Sequence, residues 1–168
     1  MLPDASGGAD IGSTSAEFGD VFIADDKAIK FGSDQDATIE YDEDGDDQLK
    51  IGGAVTAFTN AVVGKTDTDT SNTGSVTLDF DANQNFVLTL TGNVTLANPS
   101  TEKVGQSGFI VFIQDGTGSR TVTLGTDYET AAGAGITLTT TASATDIVPY
   151  VVAASNRILL GTPQLAFS

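Results

Sequence analysis

Short apolar pairs recur in the N-terminal third of the chain, between acidic turns. Because the two members of each pair are two residues apart, both side chains lie on one face of a strand, and the spacing predicts a series of short strands. Two apolar side chains per strand cannot build a core within one chain. We therefore expect these residues to be buried between copies of the chain: Val21, Ile23, Ile29, Phe31, Ile39, Tyr41, Leu49 and Ile51.

The pattern divides the chain into four parts. Residues 1–19 are small and polar and predict an extended arm, and residues 20–63 hold the short strands as an oligomerisation segment. Residues 64–75 contain no large apolar side chain and predict a linker. Residues 76–168 predict a compact β domain. The only stretch compatible with a helix is 54–63.

The C-terminal part reads as about eight strands, which predicts an all-β fold with a β-sandwich or jelly-roll-like domain. Residues 109–113 are apolar at every position, so we expect a central strand buried on both faces. Residues 115–119 predict a hairpin loop. Pro149 predicts that its strand is bulged or at an edge. Other predicted strands cover 76–81, 86–90, 94–96, 120–124, 136–141, 147–153 and 157–160.

Charge and composition exclude several functions. The chain has 23 acidic and 7 basic residues and a net charge of −16, concentrated in its first 70 residues. Such a surface repels nucleic acid and anionic membranes, so we expect neither as a partner. Cysteine and histidine are absent, which excludes thiolate nucleophiles and imidazole-based triads or metal sites. We expect no enzyme and no cofactor.

An acidic run at residues 42–47 deserves a test for calcium binding. An EF-hand loop that begins at Asp42 requires Gly at the sixth position and Glu at the twelfth, where the chain has Asp47 and Gly53. An EF-hand is therefore excluded. An irregular site of oxygen ligands stays open beside the simpler interpretation of a solvated acidic turn, and we assign no metal ligand.

Several stretches resemble fibre-like virion proteins of tailed bacteriophages, especially those of aquatic phages. IGSTSAEFGDVFIAD at 11–25 and IKFGSDQD at 29–36 resemble a module common in these proteins. The β domain that ends many of them is similar to GSVTLDFDANQNF at 74–86, GQSGFIVFIQDGTGS at 105–119, DIVPYVV at 146–152 and RILLG at 157–161.

The resemblance implies a homotrimeric, non-enzymatic structural protein of a virion, assembled in the host cytoplasm. The short strands would form its trimeric stalk or base. Two locations fit: a capsid decoration protein, slightly favoured because the chain is short, or a short head or tail fibre. The arm would attach to another capsid or tail protein, with Ile11 and Phe18 as its apolar anchors. 

A second class of function stays open, a carbohydrate- or receptor-binding module of a tail fibre or spike. Sugar-binding sandwiches stack their ligands on exposed aromatic rings. The chain has no Trp, and the predicted β domain offers Tyr128 and Tyr150 as platforms for a host surface glycan.

Overall fold

A computed structural model describes residues 13–44 and 47–167 and divides the chain into two compact units, Met1–Ala61 and Val62–Ser168. The first unit contains a three-stranded antiparallel sheet in the order β1-β2-β3. Its strands are β1 (Ala28–Phe31), β2 (Ala37–Asp42) and β3 (Gln48–Gly52). The turn after β1 uses Gly32 at φ +86°, where a residue with a side chain would be strained.

The second unit contains eight strands and one 3₁₀ turn at Ala131–Gly133. The strands are β4 (Thr66–Thr77), β5 (Asn85–Ala97), β6 (Ser107–Gln114), β7 (Val122–Leu124), β8 (Tyr128–Glu129), β9 (Thr145–Ala154), β10 (Arg157–Leu160) and β11 (Gln164–Phe167). The described residues form no α-helix, so the all-β prediction is confirmed, and the stretch 54–63 is not helical.

All eight strands of the second unit belong to one curled sheet, rather than to the two facing sheets of the expected sandwich. Its order is β4-β5-β6-β9-β10-β8, in which β4, β5 and β6 are parallel and β9 is antiparallel to β6 and β10. Two strands have two successive neighbours on one side. Strand β5 pairs first with β6 and then with β7, and β9 pairs with β11 and then with β10.

The core of this unit follows the alternation of the strands, since every second side chain points inward. Phe86, Leu88, Ile110, Phe112 and Val148 are at most 1% exposed. An aromatic cluster closes one end, where the ring centroids of Phe80 and Tyr150 lie 5.2 Å apart in an edge-on arrangement and those of Phe80 and Phe86 lie 5.0 Å apart. The inward face therefore supplies a continuous core within one chain.

The predicted linker at 64–75 is wrong, because most of it belongs to β4, which runs parallel to β5. Apart from Val76, which packs against the core, the strand has no large apolar side chain, and it is held by backbone pairing and by Asn72. That amide is 1% exposed and donates to the carbonyl oxygens of Asp69 and Thr89, both at 3.1 Å. The buried Leu78 and Phe80 therefore lie in the crossover after β4 rather than in the strand predicted at 76–81.

The predicted hairpin at 115–119 is also wrong. Strand β7 is parallel to β5, as β6 is, so the chain leaves the sheet after Gln114 and returns to the same side of β5. The Gln114 side chain closes the excursion by accepting from Arg120 N at 2.8 Å and donating to Arg120 O at 3.0 Å. The Arg120 guanidinium also binds the Asp115 carboxylate at 2.8 Å. We call residues 115–119, which these contacts close at both ends, the stapled loop.

The predicted strand at 136–141 does not form, although Leu138 is buried. Asp146 on β9 holds this segment instead. Its carboxylate is 1% exposed and accepts from Thr139 N at 2.6 Å, Thr139 Oγ1 at 2.8 Å and Ala166 N at 2.9 Å. Side-chain hydrogen bonds thus replace the ladder that the apolar alternation predicts.

Candidate functional site

The small sheet of the first unit has one wholly apolar face. Its central row is Ile29, Ile39 and Ile51, which lie directly opposite one another across the three strands. The strand registers add the remaining members of what we call the apolar face: Phe31, Ala37, Tyr41 and Leu49. The opposite face carries polar and charged side chains such as Lys30, Glu40 and Gln48. The registers thus bring together six of the eight predicted interface residues.

The apolar face is open to solvent in the isolated chain. Leu49 is 67% exposed, and Ile29, Phe31, Tyr41 and Ile51 are between 44% and 50% exposed. Ile39 at the centre is half-buried. A contiguous exposed apolar patch of this kind is unusual in a monomeric soluble protein and typically marks an interaction surface.

The remaining two predicted interface residues lie outside the sheet. Val21 and Ile23 precede β1 in a stretch without strand structure, so they do not form the predicted strand pair. Val21 is 70% exposed, and Ile23 is 48% exposed. Ile23 nevertheless lines a groove of about 190 Å³ together with Ile29, Ile39, Tyr41 and Leu49. The charged residues Asp25, Lys27 and Glu40 also line this groove, so it borders the apolar face.

Acidic side chains crowd one end of the small sheet. The Tyr41 hydroxyl donates to Asp47, which raises the pKa of Tyr41 above its ordinary value. The neighbouring carboxylate of Asp25 raises the pKa of Glu43. Lys50 pairs with Asp42 on the polar face of the sheet. The negative charge therefore lies beside the apolar face and not on it.

The calcium hypothesis at residues 42–47 includes Gly45 and Asp46, which lie outside the described residues. Across 13–44 and 47–167, no three carboxylate side chains are placed to hold a metal ion. Both arginines of the chain form ion pairs, Arg120 with Asp115 and Arg157 with Glu129 at 2.9 Å. These contacts assign the arginines to surface pairing.

Sequence reasoning chose the wrong aromatic platforms in the second unit. Tyr128 and Tyr150 are 5% and 4% exposed, so neither ring can stack on a ligand. Burial raises the pKa of Tyr150 to about 12, and its hydroxyl donates to Gln84 O at 2.6 Å. Among the described residues of this unit, Phe109 and Phe167 are the exposed aromatics, at 49% and 46%. Phe109 is exposed because residues 109, 111 and 113 point away from the core. Because side chains alternate along a strand, burial of Ile110 and Phe112 places Phe109 on the opposite face, and this alternation could have indicated its exposure.

The proposed attachment residues are only partly covered by the structure. Phe18 is 63% exposed in a stretch without strand structure before β1. Ile11 lies outside the described residues. Among the residues that the structure describes, no helix is long and apolar enough to cross a membrane.

Comparison with known protein families gives a match to part of the chain. A family model described as putative phage tail fibre C-terminal domain matches residues 68–154, just over half of the 168 residues. The match lies within the second unit and extends from β4 to the end of β9. No curated protein and no solved structure matches the chain.

Proposed function

Since the chain belongs to the family of the phage tail fibre C-terminal domain, we propose that it is a homotrimeric, non-catalytic fibre protein of a phage virion. The family supports a fibre-like structural role. We propose in addition the number of copies, the absence of catalysis and the position of the protein on the particle.

The apolar face carries the proposal of self-association. Its side chains are exposed and uncharged, while the chain as a whole has a net charge of −16. Identical chains of this charge repel one another, so they can associate stably only where charge is absent and apolar area is buried. A closed ring buries the same face on every copy. Three copies is the number that the resemblance to fibre proteins implies.

Two neighbouring residues on β3 allow a matched test of this interface. Leu49→Lys adds one positive charge to the apolar face, and Gln48→Lys adds the same charge to the opposite face, across from Asp42. Because both positions are exposed, neither change should disturb the fold of one chain. We expect light scattering to give a trimer for the wild type and for Gln48→Lys, and a monomer for Leu49→Lys. A monomeric wild type, or a trimeric Leu49→Lys, would contradict the proposal.

For the position on the particle we propose a tail fibre rather than a capsid decoration protein. The support is the family, whose description refers to a tail fibre. Gold-labelled antibodies against the second unit should mark the tail in electron micrographs of intact particles. Labels distributed over the capsid surface would favour decoration.

We further propose that residues 1–20 attach the protein to the virion. Phe18, at 63% exposure in a stretch that pairs with no strand of its own chain, fits an arm that lies along another virion protein. Deletion of residues 1–20 should abolish incorporation into particles without changing the melting of the second unit. Incorporation at the wild-type level would show that attachment lies elsewhere.

A further inference from the structure

The second unit has a groove of about 600 Å³ where β5 and β6 begin and β9 passes its midpoint. This volume is within the range of small-molecule sites, ~300–1,000 Å³. Its walls combine apolar and uncharged polar side chains: Val62, Gln84, Asn85, Ser107, Phe109 and Pro149. The proposed trimer interface lies on the other unit, so this groove calls for a separate explanation.

The floor of the groove is rigid because the turn at Gln84 and Asn85 is held from several sides. Both of their backbone N–H groups donate to Lys65 O, at 2.7 and 3.1 Å. The Tyr150 hydroxyl donates to Gln84 O, and the Gln84 side chain donates to Ser107 O. Asn85 Oδ1 accepts from Phe109 N at 3.2 Å. A ligand would therefore meet fixed amide groups, which lowers the entropic cost of binding.

Two glycines make this arrangement possible. A Cβ at position 108 would lie 2.3 Å from Gln84 O, and a Cβ at position 64 would lie 2.7 Å from Gln84 Cγ. Both distances are shorter than real Cβ contacts, so only glycine lets the strands approach the turn this closely. Gly64 and Gly108 are therefore required by the shape of the groove, although neither residue belongs to the core.

The chemistry of the walls specifies a class of ligand. The Phe109 ring is 49% exposed and faces the groove beside the Pro149 ring, which together offer a flat apolar surface. Three polar groups that line the groove make no hydrogen bond among the described residues: the Asn85 Nδ2 amide group, Gln84 Oε1 and Ser107 Oγ. Donors and acceptors are thus both available next to an aromatic platform.

We propose that this groove binds a neutral saccharide. A sugar ring presents an apolar face that stacks on an aromatic ring and hydroxyl groups that pair with amides. No charged side chain lines the groove, so it has no partner for the carboxylate of an acidic sugar or for an ammonium group. The net charge of −16 further disfavours anionic glycans. The proposal does not depend on the number of copies in the assembly.

The test uses the full-length protein on an array that contains neutral glycans beside sialylated and sulfated ones. We expect binding to a subset of the neutral glycans. The bound glycan is then titrated into ¹⁵N-labelled protein, where the side-chain amide signals of Asn85 and Gln84 should shift. Binding to no neutral glycan, or only to anionic ones, would overturn the proposal.

Three variants locate the site. Phe109→Ala should raise the Kd about tenfold or more, the equivalent of about 1.4 kcal/mol, and Phe109→Tyr should retain binding because the ring remains. Val151→Ala is the control, since Val151 is exposed on the same sheet but does not line the groove. The oligomeric state of each variant is measured in parallel. If Phe109→Ala dissociates the assembly and leaves glycan affinity unchanged, the groove is an interface between copies and the proposal fails.

Discussion

The Gly161 N–H donates to the Pro149 carbonyl oxygen at 2.8 Å, at the point where β10 has ended and β11 has not begun. In an antiparallel strand the N–H and C=O of one residue point to the same side. The missing N–H of Pro149 therefore faces this gap, and no ladder bond to β6 is lost. The prediction that the strand of Pro149 lies at an edge is wrong, because β9 lies between β6 and β10 with an unbroken register against β6. The predicted bulge is found on the other side of β9, where its register against β10 shifts between Arg157 and Ile158.

The same contact predicts that Gly161 cannot carry a side chain. A Cβ at this position would lie 2.7 Å from Pro149 Cγ, in the middle of the sheet. Gly161→Ala should lower the free energy of unfolding by roughly 1–3 kcal/mol, as overpacking does. Gly116→Ala is the control, because a Cβ there would have no neighbour within 4 Å. Equal urea midpoints for the two variants would contradict the contact.

Two phenylalanines on β6 test which face of the strand forms the core. Phe112 is 1% exposed and Phe109 is 49% exposed. Phe112→Ala should therefore lower the free energy of unfolding by roughly 3–5 kcal/mol. Phe109→Ala should change it by about 1 kcal/mol or less. The prediction that residues 109–113 are buried on both faces is therefore wrong, since only the face of Ile110 and Phe112 lies in the core. Similar large losses at both positions in chemical denaturation would contradict this assignment.

The stability of the second unit should depend on pH through two ion pairs. The Arg120 guanidinium holds the pKa of Asp115 below its ordinary value, and Arg157 does the same for Glu129. Because the unfolded chain binds protons more readily at these positions, their stabilisation is present above the ordinary carboxyl pKa of about 4 and is lost as the pH falls through the lowered values.

Thermal melts followed by circular dichroism between about pH 5 and pH 2 should show this loss. The double variant Asp115→Asn/Glu129→Gln lacks both carboxylates, so its melting temperature should fall less steeply over the same range. A slope identical to that of the wild type would mean that other carboxylates govern the acid response.

The position of β4 predicts which fragment folds independently. Residues 62–168 include β4, which covers β5 along most of its length, and should unfold cooperatively. A fragment of residues 78–168 exposes the edge of β5 and should melt at a lower temperature or aggregate. The measurement is the melting curve of each fragment, and coincident curves would show that β4 contributes nothing to stability.

The period of two in the N-terminal third was enough to predict the apolar face. Ile29, Ile39 and Ile51 were found by spacing alone, and the strand registers place them in one row. Val21 and Ile23 have the same spacing but lack a partner strand. Local pattern therefore identifies which side chains share a face, whereas the pairing that makes a stretch a strand depends on residues far along the chain.

The parallel strands could not be predicted for the same reason. Strand β4 has the polar composition of a linker. It becomes a strand because it pairs with β5 and buries Asn72, and neither contact can be read from its own sequence. The crossover from β4 to β5 is also shorter than the dozen or more residues that parallel strands usually need. The alternation of Leu78 and Phe80 in this connection predicted a strand, whereas both side chains lie in the crossover. The groove at Phe109 was missed because an exposed Phe in an apolar run resembles a core residue.

Changes at the tip of the stapled loop between β6 and β7 should have little effect on the stability of the sheet. Gln114 and Arg120 fix both ends, whereas Gly116 and Thr117 at its tip are exposed. Exposed loop tips of this kind tolerate inserted segments. The tip is therefore a place where a peptide epitope or a fluorophore can be inserted while the sheet stays the same.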